Sequence, residues 1–256
     1  MEAKAHFVLV HGAGFGGWCW YKVTDNLVKT GNTVSPLDMA SGGIDPRNAD
    51  QITTLAEYNQ PLTDFIRALP PQDKVILVGH SSGGFNLSLT MEQFPNKIVA
   101  AVFLTAFMPL PGTTFLDLIY EVRSVIGSYG DSEFYYARGE ENPPTSFKFG
   151  RQFLRTNLTQ RSPPWDVTLV DSLLKKCPIW QDPISYTKEN YGSVPRVYLI
   201  AKDDKAIPEE LQRKYIAENP PQMVYEIEGS DHCTFFSKPD RLAGILVQIA
   251  HKYLYE

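Results

Sequence analysis

The stretch Val75 Ile76 Leu77 Val78 Gly79 His80 Ser81 Ser82 Gly83 Gly84 decides the fold. Its aliphatic run has no polar alternation, as expected of a strand buried on both faces. The segment after it has a helical pattern, so Ser81 falls at a strand-to-helix turn bracketed by Gly79 and Gly83. Glycines there let neighbouring backbones come close, and the sharp turn lifts the serine hydroxyl clear of the sheet. Gly-x-Ser-x-Gly alone is common by chance. Its strand and helix context gives it weight.

On either side of this turn, short β-branched and aliphatic runs alternate with helical patterns. They are Phe7 to Val10, Thr33 to Asp38, Lys74 to Gly79, Val99 to Thr105, Arg196 to Ala201 and Val224 to Ile227. Strands and helices in alternation predict an α/β fold with a six-stranded, mostly parallel sheet flanked by helices. Pro36 lacks an N–H for a ladder bond, which places its strand at an edge. Thr54 followed by Glu57 has the form of a capping box, and Leu55, Tyr58, Leu62, Phe65, Ile66 and Leu69 continue as one amphipathic helix. Near the C-terminus Leu242, Ile245, Leu246, Ile249 and Tyr253 repeat the pattern.

The alternation stops after Thr105 and resumes at Arg196. Between them lie many aromatics and a run of prolines that includes Pro109, Pro111, Pro143, Pro144, Pro163, Pro164, Pro178 and Pro183. A stretch that long is not a plain loop. The expected organisation is a core of residues 1–108 and 190–256, with a mainly helical cap, 109–189, inserted over the active site.

Composition excludes several classes of function. The 256 residues are 43% hydrophobic and 21% charged, the balance of a folded globular protein. With 24 basic and 29 acidic residues the net charge is −5, so there is no cationic surface for a nucleic acid or an anionic membrane. No apolar run approaches the roughly 18 residues of a membrane span, and the start has neither the length nor the flanks of a signal peptide. Cys19, Cys177 and Cys233 are odd in number and lack metal-ligand spacing, which fits reduced thiols and a cytoplasmic location. No metal is expected. The sequons at Asn86 and Asn157 are taken as chance matches, the first because it falls in a helix that should be buried.

The partners of Ser81 follow from chain order. When a nucleophilic serine occupies such a turn, an acid follows a late strand and a histidine follows the last one. Asp203 and Asp204 follow Arg196 to Ala201, and His232 follows Val224 to Ile227. His232 would take the Ser81 proton, and an aspartate would fix its tautomer. The pattern alone does not choose between Asp203 and Asp204. His6, His11, His80 and His251 are expected to be structural, and Asp231 a turn former.

His11 Gly12 Ala13 Gly14 Phe15 Gly16 Gly17 after the first strand admits a rival interpretation. Gly12, Gly14 and Gly17 have dinucleotide-loop spacing, and Asp38 could meet a ribose. Trp18 and Trp20 follow at once, however, where a tightly packed helix would need small residues. With Ser81 as nucleophile, the same loop lets the Ala13 N–H join that of Ser82 in an oxyanion hole.

Together these segments resemble the plant methylesterase and hydroxynitrile lyase family of α/β-hydrolases. The matching residues are His6 to Gly12, Gly17 to Lys22, the Ser81 turn with Gly84, Phe107 Met108 Pro109, Asn142 to Thr145, Tyr191 to Val194, Asp204 Lys205 with Pro208, and Glu228 to His232. The resemblance implies a Ser81, His232, Asp204 triad and no cofactor. It also implies, as substrates, methyl esters of small or medium apolar plant metabolites, hormone-type or alkaloid. Lyase members carry a threonine at the place of Gly12 and a lysine at the place of Cys233. A neutral thiol cannot steady a departing cyanide, so ester hydrolysis is favoured. The family often has a histidine where Phe15 stands and a bulky or apolar residue where Ser82 stands. A β-keto ester would yield an acid able to lose carbon dioxide unaided.

Gly12, Phe15, Phe107, Phe115, Tyr120, Phe147, Phe149 and Cys233 are the expected substrate contacts, with Tyr135 and Trp165 as further aromatics for an acyl pocket. More than half of the aromatics are expected to be cap core instead. A homodimer is compatible with the sequence. The alternatives are a hydroxynitrile lyase and a non-catalytic ligand binder that kept its triad.

Overall fold

The structure is a computed structural model that describes residues 4–255. Its strands are β1 (His6–Val10), β2 (Thr33–Leu37), β3 (Val75–His80), β4 (Ile98–Leu104), β5 (Glu133–Tyr135), β6 (Ser146–Lys148), β7 (Cys177–Pro178), β8 (Arg196–Ala201) and β9 (Met223–Ile227). Its helices are α1 (Tyr21–Lys29), α2 (Leu55–Tyr58), α3 (Gln60–Ala68), α4 (Gly83–Gln93), α5 (Phe115–Ile126), α6 (Arg151–Phe153), α7 (Pro164–Leu173), α8 (Glu209–Glu218), α9 (Thr234–Ser237) and α10 (Pro239–Tyr255).

Six strands form one sheet in the order β2-β1-β3-β4-β8-β9, and every pairing is parallel. The expected sheet is therefore parallel throughout. Pro36 lies on edge strand β2, opposite Leu9. Successive side chains of a strand point to opposite faces, and the core divides accordingly. Val8, Val10, Leu77, Ala101, Phe103, Tyr198 and Ile200 join one hydrophobic cluster with Leu62 and Ile66 of α3, Phe85 and Met91 of α4, and Tyr215 of α8. Phe7, Leu9, Ile76, Val78, Val102, Leu104, Val197 and Leu199 join the other, under Val23 and Leu27 of α1 and Ile245 and Ile249 of α10. Burial on both faces makes β3 rigid, and Ser81 hangs from its end.

The capping box at Thr54 is present, its side chain accepting from the Glu57 N–H. The single helix expected from Leu55 to Leu69 is split at Asn59 into α2 and α3. Pro61 explains the break, since it has no N–H to continue the ladder. Asn59 is buried there and bonds Thr63, Thr90 and Asn86. Asn86 is itself fully buried, which leaves its sequon no room for a glycan.

Between β4 and β8 the chain forms α5, α6, α7 and a π-helical turn at Leu154–Leu158. It also forms a three-stranded antiparallel sheet, β5-β6-β7, that the expectation of a mainly helical cap missed. Those strands are only two or three residues long, too short for a period to show. Among the described residues no helix is long and apolar enough to cross a membrane, and no cluster of His, Cys, Asp or Glu could hold a metal ion.

Candidate active site

Ser81 has φ of 55°, a left-handed conformation that is costly for a residue with a Cβ. Three hydrogen bonds hold it. The Ser81 carbonyl accepts from the N–H groups of Gly84 and Phe107, both at 3.1 Å, and its N–H reaches the Leu104 carbonyl at 3.4 Å. Gly84 is irreplaceable in this arrangement, because a Cβ on it would lie 1.8 Å from the Phe107 carbonyl oxygen.

Of the two aspartates, Asp204 is the one whose carboxylate meets His232. Asp204 is buried in the turn after β8, and its Oδ1 accepts from the N–H groups of Ala206 at 2.7 Å and Ile207 at 2.9 Å. Its Oδ2 accepts from Thr105 Oγ1 at 2.5 Å and from His232 Nδ1 at 2.7 Å. A carboxylate only accepts, so the imidazole carries its proton on Nδ1 and keeps Nε2 free for a proton. Asp203 instead pairs with Arg161 at 2.9 Å, partly in solvent. Thr105, which no sequence signal marked, is also left-handed, with φ of 37°.

His80 and His11 do more than fill turns. His80 is fully buried, and its Nε2 donates to the His232 carbonyl at 2.9 Å, fixing the main chain of that loop from behind. Burial, with His232 beside it, pushes its pKa well below the usual range, so the ring is neutral. His11 Nδ1 donates to the Gly12 carbonyl at 2.8 Å, and its Nε2 accepts from the Met39 N–H at 2.9 Å. The same Gly12 carbonyl also accepts from the Phe15 N–H. In a trans peptide the N–H points opposite to the C=O, so this anchoring turns the Ala13 N–H away from the side on which the Gly12 carbonyl is held. Ser82 stands at the N-terminus of α4. Neither the Ala13 nor the Ser82 N–H has a protein acceptor among the described residues.

Ser81, Ser82, Ala13 and His232 line one cavity. The remaining lining is Phe107, Phe115, Ile119, Val122, Tyr129, Phe147, Phe149, Phe153, Ala206 and Ile207, so the walls are almost wholly apolar. The cavity has a volume of about 380 Å3.

Phe107, Phe115, Phe147 and Phe149 thus line this cavity, whereas Tyr120, Phe15, Cys233 and Gly12 do not. Tyr120 is 53% exposed on the outer face of α5. Phe15 is buried in the core, stacked on Trp18 and edge-on to Phe235. The Cys233 thiol lies in the same core cluster, and burial raises its pKa well above the usual range. Gly12 is packed beneath the site, where a Cβ would lie 2.8 Å from both His80 Nδ1 and Ser81 Cβ. Of the two further aromatics, Trp165 is 67% exposed, and the Tyr135 ring carries Lys176 at 3.3 Å. The lining residues that sequence reasoning missed include Ile119 and Val122, which share a helical face with Phe115 at i, i+4 and i+7. That spacing was the available signal.

Asp231 is not a plain turn former. It is buried, and its Oδ2 accepts from the Arg161 N–H at 2.8 Å and Ser162 Oγ at 2.9 Å. The His232 loop is thereby tied to the segment after the π-helical turn. In the rival dinucleotide interpretation Asp38 would face a ribose. Instead its carboxylate closes its own loop, accepting from the N–H groups of Gly17 and Ile44.

Residues 7–245 match the alpha/beta hydrolase family, and the chain belongs to that family. Salicylic acid-binding protein 2 of Nicotiana tabacum is 42% identical over 99% of this chain and 100% of its own length. Methyl jasmonate esterase 1 of Vitis vinifera is 40% identical over 98% and 99%. The crystal structure of tomato methylketone synthase I with 2-tridecanone superposes with a TM-score of 0.92 at 39% identity, covering 98% of this chain and 99% of that one. Within the family this chain stands with the plant methylesterases and is a serine carboxylesterase.

Proposed function

We propose that the protein hydrolyses methyl esters of small or medium apolar plant metabolites, hormone-type or alkaloid, through an acyl enzyme on Ser81. The observation that carries this reading is the Asp204 to His232 bond at 2.7 Å, with His232 facing the same apolar cavity as Ser81. The ester carbonyl sits against Ser81, and the segment 109–189 acts as the cap that walls in the acyl group. His232 Nε2 takes the Ser81 proton as the hydroxyl attacks, and Asp204 stabilises the imidazolium. The N–H groups of Ala13 and Ser82 hold the oxyanion, a contribution worth about 10²–10³ in rate per donor. Collapse expels methoxide, which leaves as methanol with the proton from His232. A water molecule, deprotonated by His232, then attacks the acyl enzyme and frees the acid.

Kinship with a methyl jasmonate esterase supports the methyl ester as substrate. The buried Cys233 thiol offers no cation at the position where lyases carry a lysine, which weighs against cyanohydrin cleavage. Methanol release from a panel of methyl esters tests the proposal. Ser81→Ala is expected to lose about 10³-fold or more in kcat while keeping its melting temperature. Equal turnover by both proteins would sink the mechanism, and cyanide release from mandelonitrile would overturn the choice of reaction.

A further inference from the structure

The four residues 104–107, where the chain leaves β4, touch both Ser81 and Asp204. The Leu104 carbonyl and the Phe107 N–H hold the main chain of Ser81, while Thr105 Oγ1 donates to Asp204 Oδ2 at 2.5 Å. The Thr105 N–H is tied to the Leu199 carbonyl at 2.9 Å, and the Ala106 carbonyl accepts from the Tyr198 hydroxyl at 2.8 Å. Thr105 is fully buried, and its φ of 37° is an outlier for a β-branched residue. Such strain persists only where surrounding contacts impose it, and it concentrates at functional sites.

An ionised carboxylate offers about four lone-pair sites, and those of Asp204 are all taken. Oδ1 receives the N–H groups of Ala206 and Ile207, and Oδ2 receives Thr105 and His232. The two amides belong to the main chain and would be there whatever side chains stood at 206 and 207. Thr105 is therefore the one donor, apart from His232 itself, that a side chain supplies, and it shares the oxygen that His232 uses. A hydroxyl bonded to that oxygen offsets part of the charge that would otherwise stabilise the imidazolium. The other titratable groups facing His232 or Asp204 are His80 from β3, Tyr198 from β8, and Asp231 and Cys233 beside His232 in its own loop. A substitution at Thr105 changes none of them.

We infer that Thr105 is a positioning residue: its hydroxyl aims Asp204 Oδ2 at His232 and tempers that oxygen as an acceptor, which limits how strongly Asp204 favours the imidazolium over the neutral base. This inference rests on the esterase reading for the part that His232 plays as base. Thr105→Val removes the hydroxyl at constant shape, Thr105→Ala removes it without placing a methyl group against the carboxylate, and Thr105→Ser keeps a hydroxyl. NMR titration of the His232 imidazole, assigned by its loss in His232→Gln, reads the contact without turnover. Thr105→Val and Thr105→Ala are each expected to raise the midpoint by about one pH unit. The acid limb of kcat/KM should move with it, so that below both midpoints activity falls about tenfold relative to the alkaline plateau. Thr105→Ser should titrate like the unaltered protein. A midpoint that fails to rise in either Thr105→Val or Thr105→Ala, or one that rises as far in Thr105→Ser, overturns the assignment. So does an activity loss by the same factor at every pH, the mark of a merely structural residue. Methanol release by the unaltered protein is measured separately, so failure of ester hydrolysis is told apart from failure of the Thr105 contact.

Discussion

The two walls of the cavity are built on opposite principles. Behind Ser81 lie polar groups held by short hydrogen bonds on rigid elements: Asp204 with four donors, His80 on the His232 carbonyl, and His11 on the Gly12 carbonyl. In front, α5 and the small β5-β6-β7 sheet offer aromatic and aliphatic surface with almost no directional contact. Hydrogen-bonded groups on a buried parallel sheet tolerate little displacement, whereas hydrocarbon walls repack at small cost. In the proposed mechanism the rear therefore sets what reaction occurs, and the front sets which acyl group enters.

The sharpest way to break this contrast is at the aspartates. Asp204→Asn should lower kcat by about 10³–10⁴, because an amide that donates to Nδ1 imposes the wrong tautomer. Asp203→Asn, at a partly exposed ion pair, should change kcat less than about threefold. A larger effect at Asp203 would reassign the triad.

The rear wall should also make stability depend on pH. Burial lowers the pKa of both His80 and His11, so the folded state resists protons that the unfolded chain accepts. Stability from these two is complete above the unfolded value near 6.5 and is lost as pH falls below it. The loss is at most about 1.4 kcal/mol per pH unit for each histidine. Asp231 works in the opposite direction, since burial raises its pKa and protonation relieves it at lower pH. Urea melts between pH 7 and 5 should show the decline, and a flat profile would contradict the neutral buried pair.

Gly12→Ala probes the same wall sterically. Its new Cβ would press on His80 and Ser81 at 2.8 Å, and a displacement of that order should lower kcat by about 10²-fold. Steady-state kinetics with a melting curve would check it, and unchanged kcat would mean that the wall yields. On the front wall the effects should be smaller. Phe149→Ala should alter KM by about fivefold and admit bulkier acyl groups with kcat nearly constant. Tyr120→Ala and Trp165→Ala, on the outer surface, should change neither constant by more than about twofold. A large loss at Tyr120 would show that α5 turns in solution.

The fold and the order of the site were visible in the chain because they rest on local rules. Alternation of strands and helices, the glycine-bracketed Ser81, the edge proline at 36 and the capping box at Thr54 each depend on neighbouring residues and the backbone period they impose. Placing an acid and a histidine after the last two strands needed only chain order. The break at Asn59 was also written locally, in Pro61, and so was the inward face of α5. Attention to aromatic residue types obscured that face and favoured Tyr120 over its neighbour Ile119.

Other features have no local signature. Asp203 and Asp204 are chemically identical neighbours, and the choice between them was made by Thr105, Ala206, Ile207 and His232 converging from separate elements. His80 and Asp231 gained their roles from residues 152 and 70 positions away. The isolation of the Ser82 hydroxyl is likewise a property of everything packed around it. Sequence alone determined an α/β core with Ser81 at a strand-to-helix turn and an aspartate pair and a histidine after the last two strands, since backbone period and turn chemistry act over a few residues. Only the tertiary structure decided which aspartate holds His232, which rings line the cavity beside Ser81 and which hydroxyl is left without a partner, because side-chain direction and hydrogen-bond saturation are settled among atoms distant in the chain.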